Sequence, residues 1–399
     1  MVAPLKLSGA AWLMLLGFAV NAAIPPLHAW IADAYPEATP TGSVFLSAFT
    51  TKAAVYVLAR VFPGADVLLI AGTVMALYGV VFAVIENDIR RILSYHIVSQ
   101  VGYMVVGIGL GTEAALNGAT AHAFAHILYK GLLFMAAGAV IEATGRCRLT
   151  ELGGLNGPMR WVLVFYMFGA LSISGFPLLS GFVSKSLVIY AAELEHRSWA
   201  VVLLSVASVG TFLSVGLKLP YFTWFGARRS RAVKAIPRGM YVAMALASAI
   251  NLAIGIRPEL LYGVMPFAVT YRPYSAAHLL ESCELLGFTA LAFWFYRVQM
   301  AAKAALTLDV DWFYRRPALA LGRSIVTAVN GAFAAAENLA LAGARSLCQF
   351  AVDPLAIRRF VNPRGEKQRY DPDRHRPPVA LPLLITLASF VLLLAWYLL

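Results

Sequence analysis

Long apolar runs separated by short polar clusters dominate the chain, and about ten of them reach the roughly 20 residues needed to cross a bilayer. They lie near 8–24, 41–62, 67–85, 93–110, 116–142, 161–190, 199–224, 239–256, 276–296 and 378–399. No small-residue cleavage site follows "MVAPLKLSGAAWLMLLGF", so the first run is expected to be retained as a helix. The pattern predicts an all-α polytopic membrane protein.

Two of the runs are expected to be broken. "NAAIPPLHAW" places Pro25 and Pro26 at the end of the first, and "SISGFPLLSGFVSK" places Gly175, Pro177 and Gly181 in the middle of the sixth. Proline removes a backbone donor and glycine eases irregular dihedrals, so each site should unwind. Unwound backbone at membrane depth survives only where protein or a water-filled cavity satisfies it. A pair of such interruptions points to a transport site, with a plain packing kink as the alternative.

Composition agrees with the pattern: the 399 residues are 60% hydrophobic and 13% charged, and mean hydropathy is +0.73. The formal charge of +12 would suggest nucleic acid in a soluble protein, but here the basic residues fall between the apolar runs. Arg90 and Arg91, then Arg146, Arg148 and Arg160, then the cluster Arg228 to Arg238, and finally the segment Arg297 to Arg376 all follow odd-numbered runs. This alternation puts those loops in the cytoplasm and excludes a nucleic-acid partner. The loop after the first run, with Asp33 and Glu37, carries no positive charge. Cys147, Cys283 and Cys348 form no CxxC and suggest neither a cluster nor a disulfide framework. "GIGLG" at 107–111 lies inside an apolar run and lacks the strand and turn of a dinucleotide loop, so no cofactor and no metal are expected.

Ionisable residues inside the runs carry the candidate chemistry. In "AHAFAHILYKGLLF", His122, His126 and Lys130 recur at four-residue steps and would share one helix face. Lys52 lies half-way along the second run, Lys185 follows the break in the sixth, and Lys218 lies near the end of the seventh. An intramembrane charge costs at least ~2.5 kcal/mol, so such residues face a hydrated interior or pair with one another. Desolvation brings a lysine towards the range where it can load and unload a proton, and histidine passes protons through either ring nitrogen. Lys52, His122, His126, Lys130 and Lys185 are therefore read as a proton path. Ser99, Tyr103 and Ser184 are its candidate water-holding neighbours, and Lys218 is expected to snorkel to the interface.

The stretches "PPLHAWIADAYPEATPTGSVFLSAFTTKAAVYVLAR", "VIENDIRRILSYHIVSQVGYMVVGIGLGTEAALNGATAHAFAHILYKGLLFMAAGAVI" and "SISGFPLLSGFVSKSLV" resemble the antiporter-like membrane subunits shared by respiratory complex I and the multi-subunit Mrp Na+/H+ antiporters, the D-like group above all. The resemblance covers about residues 10–300. It implies two inverted five-helix repeats, each with a broken helix, and central lysines joined by histidines and water. Lys130 then matches the central lysine of the second repeat, His122 and His126 its connecting histidines, Lys185 the exit lysine, and Lys52 the residue linking two half-channels.

The chain departs from that pattern at Asn21, which stands where the family usually has a lysine; asparagine can hold water but no charge. About six helices that precede this point in full-length members have no counterpart, so the first repeat is read as truncated and the second as complete. A shortened gene model, a split subunit and a reduced protein are the competing explanations. The expected organisation is a first-repeat remnant (1–62), the second repeat (63–225), additional spans (226–300), a cytoplasmic amphipathic helix and linker (301–377), and a terminal anchor (378–399). Residues 317–350 would form a helix of about 50 Å at 1.5 Å per residue, with a disordered linker as the alternative.

The resemblance implies a membrane subunit of a monovalent cation (Na+)/proton antiporter, not itself an enzyme. Other membrane subunits of the complex, protons, Na+ and lipid would be its partners, and the bacterial inner membrane its place. A proton-pumping arm of a quinone oxidoreductase and a non-conducting scaffold are the alternatives.

Overall fold

The computed structural model describes residues 8–227, 233–305, 307–353, 371 and 378–398, and every named element among them is a helix. The chain divides into two units, Met1–Trp312 and Phe313–Leu399.

In the first unit the two expected breaks are present. The first broken helix consists of α1 (Gly9–Ala22) and α2 (Ala29–Glu37), with Pro25 and Pro26 in the intervening turn. Asp33 and Glu37, read from the sequence as loop residues, lie in α2: the prolines interrupt the helix without ending it, because the chain regains helix-compatible residues at Ala29. The helices α3 (Pro40–Val61), α4 (Asp66–Ile85), α5 (Ile89–Leu110) and α6 (Glu113–Thr144) follow, joined by short turns, with α4 packed on α5, α5 on α6 and α6 on α3. Thr39 starts α3 by accepting from the Gly42 amide at 3.1 Å, ahead of Pro40 at the first helical position. Asp88 starts α5 by accepting from the amides of Arg90 and Arg91 at 2.8 and 3.0 Å.

The second broken helix pairs α7 (Arg160–Ser174) with α8 (Ser180–Leu194). Gly175, at φ +79°, takes the left-handed conformation that ends α7, and Pro177 lies in the unwound segment. Gly181 belongs to the first turn of α8 rather than to the break. A Cβ there would lie 1.8 Å from the Ser172 carbonyl oxygen, so glycine lets the two halves meet closely. The next span begins as α9 (Ser198–Thr211) and then widens into π-helix over Phe212–Lys218 and Tyr221–Phe225, a feature the apolar pattern did not reveal. Tyr166 donates to the Val215 carbonyl at 2.8 Å, within this altered ladder. After α10 (Arg238–Ile256) and the short α11 (Glu259–Tyr262), α12 (Ala276–Tyr296) completes the spans of this unit.

The core centres on α5, whose membrane-length window is wholly buried beneath α2, α3, α4, α6, α8 and α9. Its closest approach is to α4: a Cβ on Gly102 would lie 2.5 Å from the Gly72 carbonyl oxygen, and one on Gly79 would lie 2.4 Å from that of Tyr95. Such small-residue contacts pack helices where lipid supplies no hydrophobic drive.

Two cations read as surface charges are structural. Arg90 is buried in the first turn of α5 and donates to the Pro36 and Ala38 carbonyls at 3.1 and 2.6 Å, closing the end of α2. Lys218 does not snorkel. It is buried and donates to the carbonyls of Val84 and Glu86 at the end of α4.

The second unit holds the short α13 (Asp311–Arg315, which begins at the unit boundary), the 36-residue α14 (Pro317–Val352) and α15 (Ala380–Leu398). In α14 the polar residues Arg323, Asn330 and Glu337 repeat every seven residues and so share one face, as expected for an amphipathic helix. The polar run expected between it and α15, and Arg228, Arg229 and Arg231 of the basic cluster, lie outside the described residues except for Asp371 and Pro378. Among the described residues nine helices are long and apolar enough to cross a membrane. Two of the ten runs read from the sequence are not among them, because their broken halves are each too short, while the stretch Asp311–Val352 qualifies by length and composition.

Candidate proton site

The lysine and histidine stripe lies on α6 and faces inward: His122, His126 and Lys130 each have no exposed surface. Helix periodicity stacks them, and the packing of α3, α5 and α8 around α6 seals them from lipid. His122 is held at both ring nitrogens, with Nδ1 3.1 Å from Ser184 Oγ and Nε2 3.2 Å from Gln100 Oε1. The Tyr129 hydroxyl approaches the same Nε2 at 3.4 Å. The His126 ring lies 6.5 Å from that of His122 and edge-on to Tyr129 at 5.3 Å.

Partners then run out. Among the described residues neither ring nitrogen of His126 has a hydrogen-bond partner, and neither has Lys130 Nζ, which lies 5.9 Å from the Phe134 ring centroid. Ser99 Oγ and His96 Nδ1, both buried on α5, are likewise without one, although His96 Nε2 meets Ser214 of the π-helix. Buried polar atoms are almost always satisfied by protein or ordered water, so a group of such atoms marks a place with a polar occupant.

Lysines flank this centre. Lys52 on α3 is buried, donates to the Ser47 carbonyl at 2.6 Å and to Thr51 Oγ1 at 3.2 Å, and lies within electrostatic reach of His122, His126 and Lys130. Lys185 on α8 turns back to the break, donating to the Ile173 carbonyl at 2.7 Å and to Ser208 Oγ at 3.3 Å, with its Nζ 5.1 Å from the Tyr103 ring centroid. Its ammonium thus occupies a carbonyl that the interrupted helix releases. Ser184 joins the cluster through His122, and Tyr103 commits its hydroxyl to the Leu204 carbonyl at 2.5 Å while its ring lies beside Lys185. Asn21 is half-buried in the last turn of α1, and no hydrogen bond among the described residues joins it to these groups.

The second break is held by a residue no motif indicated. Asn251 on α10 accepts from Ser172 Oγ at 2.9 Å and from the Ser180 amide at 3.2 Å, and also meets the Ser180 hydroxyl. Gln100, Thr211, His96 and Ser214 were equally unmarked in the sequence, because single polar residues in apolar runs gain meaning only from partners on other helices, here 22 to 118 positions away.

The second broken helix, α7 and α8, packed against the lysine and histidine stripe of α6, agrees with what the comparisons find. The family described as NADH:quinone oxidoreductase/Mrp antiporter, transmembrane, matches residues 1–213. The chain belongs to this family. It is 35% identical over 230 residues to the D-type subunit of the Na(+)/H(+) antiporter of Alkalihalophilus pseudofirmus, covering 55% of this chain and 46% of that protein. It is 34% identical over 203 residues to the N-type subunit of the NADH-quinone oxidoreductase of Desulforudis audaxviator, covering 48% and 40%. Among solved structures, the Mrp complex of Dietzia sp. DQ12-45-1b contains a similar chain, with TM-score 0.59, 25% identity and coverage of 72% of this chain and 62% of that one. Respiratory complex I of Thermus thermophilus contains another, with TM-score 0.54, 25% identity and coverage of 63% and 57%. This member of the NADH:quinone oxidoreductase/Mrp antiporter family is a multi-pass membrane protein that spans about half the length, or less, of these two curated relatives.

Proposed function

We propose that the chain is a proton-conducting membrane subunit of a multi-subunit monovalent cation/proton antiporter of the bacterial inner membrane, with Na+ as the coupled cation and other membrane subunits as partners. Protons move between Lys52, Lys130, His126, His122 and Lys185. The observation that carries this reading is the buried group formed by Lys130 and His126, whose three side-chain nitrogens lack partners among the described residues while His122 is already wired to Ser184 and Gln100. Water beside Lys130 and His126 would complete a hydrogen-bonded chain, and a histidine in such a chain accepts a proton at one ring nitrogen as it releases one from the other.

The test is Lys130→Ala in the assembled complex, with transport read as cation-driven proton movement in vesicles. Loss of at least ten-fold with normal assembly supports the reading; unchanged transport rejects it.

The match to an NADH-quinone oxidoreductase subunit, beside the antiporter one, favours a second reading: a proton-translocating arm of a redox-driven complex. Quinone-reducing activity that co-purifies with the chain distinguishes this from the antiporter. A complex that assembles yet conducts no protons under either drive would leave the scaffold account.

A further inference from the structure

The proton path still needs an opening to water. A cavity of about 550 Å³ lies between α8, α9, α12 and the connector that precedes α12. Its floor is the second break, with Ser174, Lys185 and Ser208, all buried. Its mouth carries Glu193, Arg272 and Glu281, all exposed. A polar passage thus runs from the protein surface to the lysine that terminates the buried chain.

The mouth has its own titratable group. His278 on α12 places Nδ1 4.0 Å from Glu281 Oε2, while its ring packs on Phe182 at 4.9 Å. Its Nε2 has no partner among the described residues. Glu193, from the end of α8, lies within electrostatic reach of Glu281. The connector adds Tyr271 beside Arg272, Tyr190 on α8 stacks on Tyr271 at 4.6 Å, and α9 contributes only the hydroxyls of Ser205 and Ser208. Among the described residues Lys185 is therefore the one cation in the depth of the cavity, facing two carboxylates and an imidazole at the rim, with Arg272 the cation beside them.

We propose that this cavity is the aqueous port of Lys185, and that Glu193, His278 and Glu281 form its proton-exchanging rim. The proposal rests on the proton-path reading above and extends it to residues on α12, beyond the 1–213 segment that matches the family. A proton leaving Lys185 Nζ passes to water in the cavity and on to His278 Nε2. The carboxylates of Glu193 and Glu281 favour that transfer by stabilising the positive charge. Uptake follows the same steps in reverse. The port opens between the α8–α9 turn and the α10–α12 connector, on the opposite face from the arginine-bearing turns that follow α4 and α6.

The port can be read without any transport assay. In the assembled complex, with Cys147, Cys283 and Cys348 replaced by serine, Ser186→Cys on the cavity wall is exposed to a membrane-impermeant thiosulfonate from each side in turn. Labelling at least ten-fold faster from the face opposite the arginine-bearing turns is expected. Labelling only from the other face, or none, overturns the port; if Ser186→Cys does not assemble, Ser205→Cys reads the same cavity.

The rim is tested by Glu193→Gln combined with Glu281→Gln, and by His278→Gln. Each should slow proton transport several-fold and displace its pH profile, whereas lost packing would lower the rate without moving the profile. An unmoved profile overturns the rim. Normal transport by Lys130→Ala together with one-sided Ser186→Cys labelling would reject the proton path while leaving the port standing.

Discussion

His28 Nε2 donates to Asp309 Oδ2 across 2.9 Å, although the two residues lie 281 positions apart. His28 sits at the resumption of the first broken helix, and Asp309 lies on the connector after α12, only 7% exposed. Tyr95 of α5 donates to the same oxygen at 2.7 Å, and Tyr78 of α4 donates to the other. One carboxylate thus fastens the connector to three elements of the helical core.

This attachment should depend on pH in a definite direction. Burial would raise the Asp309 carboxyl, but the hydrogen bonds from His28, Tyr78 and Tyr95, together with the His28 charge, outweigh it and hold it at about 2. A depressed carboxyl stabilises the fold fully above its ordinary value of 3.8, and that contribution fades as pH falls through about 2. Asp309→Asn should therefore cost on the order of 2 kcal/mol at pH 6 to 7. The difference in Tm from the parent should narrow below pH 4. A difference that is constant from pH 7 to pH 3 would show that the charge is not responsible.

Contact between α4 and α5 leaves no space for a side chain at Gly102, where an added Cβ would also meet the Ala76 amide nitrogen at 2.6 Å. Gly102→Ala should lower stability by about 1–3 kcal/mol, as overpacking does in a filled interior. Gly17→Ala, with nothing within 4 Å of the new atom, should be neutral or slightly stabilising. Thermal unfolding of the purified complex, followed for both variants, compares them directly.

Cys147 lies in the turn after α6, half-buried, where burial and then Asp88 push its thiol up to about 12. A raised thiol carries almost no thiolate at neutral pH, and the thiolate is the reactive form. Maleimide labelling of Cys147 at pH 8 should be at least ten-fold slower than for an ordinary exposed cysteine. Asp88→Asn should speed it; an unchanged rate would remove Asp88 as a cause.

Much of this arrangement could be read from the chain, for local reasons. Pro25, Pro26 and Gly175 interrupt helices by their own covalent chemistry, and the four-residue spacing of His122, His126 and Lys130 survives any packing. The extent of α14 followed from its amphipathic period, to within two residues at its end. Residues whose roles depend on distant partners were not legible. Asn251 is an ordinary polar residue until α10 meets the second break, and Lys218 looks like an interfacial lysine until the end of α4 lies beside it. The π-helix after Thr211 was hidden for another reason: it changes the hydrogen-bond ladder without breaking the apolar run.

The complete enclosure of α5 bears on how the protein is made. Over a membrane-length window its mean hydropathy is 1.3, against 2.5 for that of α4, and the window is wholly buried in the finished fold. It carries His96, Ser99 and Gln100 in its middle, so it offers an insertion machinery little reason to release it sideways alone. Only three residues separate it from α4. The two are therefore best delivered as one hairpin, in which the greasier first arm carries the polar second arm into the bilayer. The α4–α5 contact is then an obligation at the ribosome as well as a feature of the folded state.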